Sequence, residues 1–240
     1  MIFFTSLIVS IIVLSASAHE FASGSNPTPL IELFSSEGCS SCPPAEEQLA
    51  ELTKNKDLWT KFVPINFHVD YWNQLGWVDP YSNAQFTARQ HEYAKSWNVK
   101  TVYILAFVGN GSSLGATLNL KNFILTAASA QTPKLIIKID KKLQAQISAT
   151  NLDSKKDYIL HMVLLGNGLV SKVTSGENKN HTLTQNFVVL NYQAKTLERT
   201  GKPNQFLLSG KIKPSRTAIA AWITEKNDMH PLQCLGGYLD

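Results

Sequence analysis

The chain has 240 residues, of which 44% are hydrophobic, 10% aromatic and 17% charged. That composition excludes a disordered tail, a collagen-like repeat and a coiled coil, and three cysteines are too few for a small disulfide scaffold. The net charge of +4 is too small and too dispersed to point to nucleic acid.

The first element in chain order is a targeting segment. Ile2 to Leu14 is almost wholly apolar, and Ala16-Ser17-Ala18 is a small-residue cleavage pattern. Together they predict a secretory signal peptide over residues 1–18, although its start lacks Lys or Arg. The 17 residues from Ile2 to Ala18 fall short of the roughly 20 needed to span a bilayer. No stable membrane insertion is expected after cleavage. The mature chain, from His19, is expected in an oxidising compartment, periplasmic or extracellular.

The mature chain divides near residue 132. Residues 19–132 carry 7 Lys+Arg against 10 Asp+Glu, and residues 133–240 carry 15 against 8. This reversal of sign predicts two units, 19–132 and 133–240. In the first, strand-like Leu30–Ser35 is followed by Ala45–Thr53, where Ala45, Leu49 and Leu52 recur at helical spacing. Phe62–Val69 reads as a strand, Ala84–Trp97 as a helix, Tyr103–Val108 as a strand and Leu120–Ala130 as a helix. Such alternation predicts an α/β layer structure. In the second unit Leu143, Ala145, Ile147 and Ala149 alternate with polar residues. Tyr158–Leu165, Phe187–Tyr192, Phe206–Ser209 and Thr217–Thr224 are further strand candidates, separated by turn-forming stretches such as Gly166-Asn167-Gly168 and Ser175-Gly176-Glu177-Asn178. The expectation is a small all-β sandwich.

Cys39-Ser40-Ser41-Cys42 carries the chemistry. It follows a predicted strand and opens a predicted helix, the context that separates a redox pair from a chance one. A helix N-terminus offers unpaired N–H groups and partial positive charge, which favour the nucleophilic thiolate at Cys39. Pro43 biases Cys42 away from helical geometry, and Pro43-Pro44 suits a helix first turn. The competing reading is a structural disulfide. A four-ligand zinc site would need a second cysteine pair, which the chain lacks.

Residues 30–52, LIELFSSEGCSSCPPAEEQLAEL, resemble the opening of an uncharacterised family of secreted, thioredoxin-like bacterial proteins. His68-Val69-Asp70-Tyr71-Trp72, Leu75-Gly76-Trp77, Asp79-Pro80 and Phe86-Thr87-Ala88-Arg89-Gln90 are similar to a second block of that family, and Gly176-Glu177-Asn178 with Thr182-Leu183 to a weaker third. The resemblance implies a thioredoxin-like domain followed by a β-rich domain, and supplies no substrate. It also implies a cis-proline opposite the cysteines, but Leu105 stands there. A non-proline cis bond costs about 2.5–4 kcal/mol, so the peptide before Leu105 is expected to be trans.

His68 and Asp70 close the second predicted strand. His68 is a candidate to protonate a leaving thiol, or to join Cys39 and Cys42 as a copper or zinc ligand. Its blander role is a hydrogen bond to Asp70 or backbone. Tyr71, Trp72, Trp77 and Tyr81 are expected to pack a subdomain core, or to wall the cysteine pair. Cys234 is expected to be a buried free thiol. The sequence therefore points first to thiol-disulfide exchange with an envelope protein or thiol-containing substrate, without an organic cofactor. In that reading Cys39 attacks, Cys42 resolves and His68 assists, with Asp70, Leu105, Trp72 and Trp77 in support. The rivals are a copper- or zinc-binding protein and a binding module with a structural disulfide.

Overall fold

The computed structural model describes residues 19–120 and 132–239. The signal-peptide reading lies outside these residues, as does the predicted helix beyond Leu120. The elements in the first half are β1 (His19–Ala22), β2 (Leu30–Ser35), α1 (Pro43–Ala50), β3 (Val63–His68), α2 (Ala84–Ser96), β4 (Ala106–Gly109) and β5 (Ser112–Gly115). In the second half come β6 (Lys134–Ile139), β7 (Gln144–Thr150), β8 (Tyr158–Asn167), β9 (Leu169–Lys172), β10 (Thr182–Gln185), β11 (Val188–Thr196), β12 (Asn204–Leu207), β13 (Arg216–Glu225) and β14 (Pro231–Tyr238).

The expected α/β thioredoxin-like domain followed by a separate sandwich is not the architecture. The chain is mostly β, with two α-helices among the described residues. One eight-stranded sheet runs β14-β13-β8-β11-β3-β2-β4-β5, so strands from both sides of residue 132 are hydrogen-bonded neighbours. Only β2 with β3 and β3 with β11 pair in parallel within it. A four-stranded antiparallel sheet, β1-β6-β7-β12, packs on one end, and β9–β10 form a separate hairpin.

The reason lies in the strands β8 and β13. Leu160, Met162, Leu164, Ile219, Ala221 and Ile223 face the small sheet and meet Leu135, Ile137 and Ile147 there. The alternate residues Val163, Leu165, Ala218, Ala220 and Trp222 join the core on the opposite face with Phe34, Phe67, Phe86 and Tyr93. A strand buried on both faces needs cover on both. A free-standing two-sheet sandwich would leave one of those faces wet.

Each helix then covers part of the large sheet. Ala45 and Leu49 of α1 pack on Ile31, Leu33 and Phe107. On the other face, α2 delivers Arg89, 2% exposed, into the core. Arg89 makes a forked ion pair with Glu32 of β2, Nε–Oε2 at 2.6 Å and Nη2–Oε1 at 3.0 Å. Its guanidinium also lies 5.0–5.8 Å from the ring centroids of Phe67, Tyr93, Tyr192 and Trp222. Aromatic faces and a carboxylate thus offset the desolvation of this charge. No helix among the described residues is long and apolar enough to cross a membrane.

Candidate thiol site

The site sits where the parallel strands β2 and β3 end side by side, with Ser35 opposite His68 in register. The chain leaving β2 turns through Ser36–Cys42 into α1, and the chain leaving β3 turns through residues 69–83 into α2. All three cysteines are thiols, and all are buried. Cys42 is the N-cap of α1 with φ −76° and ψ −38°, so Pro43 does not exclude helical geometry here. Its carbonyl accepts from the N–H groups of Ala45 and Glu46, which holds the cap. The cysteine pair therefore straddles the helix start.

The two thiols are unequal. The Cys42 thiol donates to Cys39, which is the largest cause lowering Cys39 from 9.0 to about 7. Burial opposes that shift, and the Ser41 hydroxyl and the N–H groups of Ser41 and Cys42 reinforce it. The Ser41 hydroxyl is 3.2 Å from Sγ of Cys39. Cys42 is pushed far above the ordinary thiol range by that same bond, by burial, and by the charges of Cys39 and Glu46. These causes favour ionisation at Cys39 over Cys42.

Buried acids line the surroundings. Glu46 of α1 accepts from Nε2 of Gln185 at 2.9 Å through Oε2, while Oε1 is buried without a partner. Glu37 accepts from Nε1 of Trp77 at 3.1 Å, and its Oε1 is likewise unpartnered. Burial, then the charge of Asp79, lifts the Glu37 carboxyl from 4.5 to about 7. His68 is fully buried, with Nδ1 2.7 Å from Oδ2 of Asp79 and Nε2 3.1 Å from Nδ2 of Asn66. Burial opposes its charge, but Asp79, Glu46 and Glu37 outweigh burial and raise it from 6.5 to about 9. Burial works against ionised Asp79 too, and the His68 charge and hydrogen bond overcome it, so its pKa falls.

The structure separates several residues that the sequence grouped. His68 pairs with Asp79, and Asp70 instead accepts from Oγ1 of Thr87 at 2.6 Å. No hydrogen bond among the described residues joins His68 to either sulfur, and both its ring nitrogens are engaged elsewhere. Among those residues no group of three or more His, Cys, Asp and Glu is placed to hold a metal ion. Trp72 lies against the cysteine loop: a Cβ added at Gly38 would be 3.0 Å from its Cδ1. Tyr71 feels the charges of Cys42 and Cys39; burial first, then these charges, push it up to about 12. Tyr81 stands edge-on to His68 and meets Oγ of Ser171 at 3.0 Å. Leu105 has φ 66°, and no peptide bond among the described residues is cis. Its N–H donates to the carbonyl of Phe34 at 3.2 Å, beside the end of β2. Cys234 is buried in the core near Glu32 and Arg89, and burial raises its thiol well above the ordinary range.

The acids Glu37, Glu46 and Asp79, and the contacts from the second half of the chain, carried no role in the sequence reading. Glu37 lies two residues before Cys39, and Asp79-Pro80 and Gly176-Glu177-Asn178 stand in the matching blocks. Position in a block does not tell which partner each side chain finds.

Comparison with solved structures finds a protein from Agrobacterium tumefaciens, AGR_C_4864, at a TM-score of 0.68 and 20% identity, covering 91% of this chain and 97% of that one. HBP35 of Porphyromonas gingivalis matches at a TM-score of 0.60 and 13% identity, covering 90% of this chain and 76% of that one. At these identities the likeness is one of fold. No curated protein matches the sequence. The chain belongs to the DUF1223 family of proteins of unknown function, whose model matches residues 30–224.

Proposed function

We propose that the chain is an exported thiol–disulfide exchange protein that acts on an envelope protein or a small thiol-containing substrate. The observation that carries this reading is the placement of the pair across the start of α1, with Cys42 as its N-cap, the Ser41 hydroxyl 3.2 Å from Sγ of Cys39, and a bond between the two thiols that favours charge on Cys39. The reaction balances as two displacements. The Cys39 thiolate attacks a substrate disulfide, forms a mixed disulfide and releases one substrate thiolate. Cys42 then loses its proton, and its thiolate attacks Sγ of Cys39. The Cys39–Cys42 disulfide forms, the second substrate thiolate leaves, and two electrons have passed to the substrate. Glu46 is positioned to take the Cys42 proton: it lies one helical turn on, its charge reaches Cys42, and Oε1 is buried without a partner. The signal-peptide pattern of residues 1–18 supports an oxidising compartment, where such a couple cycles.

The test is trapping. Cys42→Ser, incubated with a disulfide-bonded model peptide, should accumulate a mixed disulfide at position 39, and Cys39→Ser should accumulate none. Equal trapping by both variants, or by neither, overturns the reading.

A further inference from the structure

The hairpin β9–β10 comes from the second half of the chain, yet its tip is fastened to the cysteine loop. Oε2 of Glu177 accepts from the backbone N–H of Ser40 at 2.9 Å and from its hydroxyl at 2.8 Å. The side-chain amide of Asn178, buried at 2% exposure, donates to the carbonyls of Glu37 at 2.8 Å and Cys39 at 3.0 Å. Ser175 donates to the carbonyl of Gly76 at 2.6 Å. Gly176 closes against Trp77: its φ is +74°, and an added Cβ would be 3.1 Å from Cβ of Trp77. The tip is thus locked on both loops that frame the site.

These contacts sort the polar groups of the cysteine loop. The carbonyls of residues 37 and 39 are drawn to Asn178, and the Ser40 N–H is drawn to Glu177. The N–H groups of Ser41 and Cys42 favour charge on the Cys39 sulfur, that of Cys42 while also donating to the Cys39 carbonyl at 3.2 Å. We infer that Glu177 and Asn178 are positioning residues for the attacking thiol: their hydrogen bonds hold the loop in the geometry in which the amides of Ser41 and Cys42 favour charge on Sγ of Cys39. This inference rests on the thiol-exchange reading and adds that the second half of the chain sets the reactivity of a nucleophile carried by the first.

Two substitutions at Glu177 separate orientation from charge. As a nearby anion, the carboxylate disfavours a thiolate; as an acceptor, it fixes the loop that favours one. Glu177→Ala removes both effects, and Glu177→Gln keeps an acceptor and removes only the charge. Glu177 is hydrogen-bonded at the surface, so neither change opens the core. The readout is the pH midpoint of iodoacetamide alkylation at Cys39 in the reduced mature protein, with Cys234→Ala as background. The midpoint is preferred to the rate at one pH, because intrinsic nucleophilicity falls as a thiol becomes more acidic.

Wild type should titrate near 7. Glu177→Ala and Asn178→Ala should each move the midpoint up by about one unit, toward the ordinary thiol value near 8.5. Glu177→Gln should stay at or below wild type. If Ala and Gln at position 177 both lower the midpoint, the role is charge alone and the inference fails. If wild type titrates near 7 and no variant moves it, the inference fails while the exchange reading stands. A wild-type midpoint at the ordinary thiol value overturns both.

Discussion

At residue scale the site couples a thiol pair to buried acids, and the acids make stability depend on pH. Glu37 has a folded pKa near 7 against 4.5 for the free side chain. Between those values the folded state binds more protons than the unfolded one, so stability falls as pH rises, and the loss is complete above about 7. The shift corresponds to at most about 3 kcal/mol. Glu37→Gln keeps an acceptor for Trp77 and removes the charge. Its thermal midpoint should exceed that of wild type at pH 8 and approach it at pH 5; a difference that does not change with pH contradicts the assignment. His68 adds in the same direction. Its pKa is raised from 6.5 to about 9, so its contribution is full below 6.5 and lost as pH climbs through 9. Asp79, with a lowered pKa, contributes above 3.8 and loses its contribution in acid.

At element scale the sequence revealed the parts nearest the cysteines and missed what crosses between distant segments. β2, β3 and α2 lie within the predicted segments, and α1 overlaps its own, starting two residues earlier at Pro43, because each is a short apolar or periodic stretch closed by a turn. The predicted strand from Tyr103 begins only at Ala106, because Leu105 takes a left-handed φ that interrupts extension. The cysteine pair was legible from its spacing between a strand and a helix. The partner of His68 was not. β3 ends at His68, so Asp70 leaves the strand plane, starts a turn and meets Thr87, and the acid that returns to His68 comes from Asp79. Arg89 shows the same limit, since its partner Glu32 is 57 positions away. Arg89→Met should cost roughly 3–5 kcal/mol, because it leaves Glu32 buried and unpaired. Urea unfolding checks this: the midpoint should drop with little change in slope. A loss below about 1 kcal/mol would show that Glu32 is not stranded in the core, and Arg89→Met with Glu32→Leu should recover part of the loss.

At the scale of the whole molecule the reversal of charge near residue 132 conceals a shared sheet. β11 pairs with β3 in parallel, and β8 and β13 continue the same sheet. Apolar contacts run across that junction: Val163, Leu165 and Trp222 lie in one core with Phe34 and Phe67. The apolar stretch of β8, interrupted by His161, is the sequence signal for burial on two faces, and alternation alone does not distinguish it from a sandwich strand. A shared core predicts that the mature chain melts in one calorimetric transition whose van't Hoff and calorimetric enthalpies agree. Two resolved transitions would contradict it.

Whether Cys39 and Cys42 form a working couple is read from the reduction potential of the protein in glutathione buffers. The thiolate-favouring setting of Cys39 stabilises the reduced state and predicts a potential between about −120 and −270 mV. A value below about −300 mV would mark the pair as a structural bridge and contradict thiol exchange.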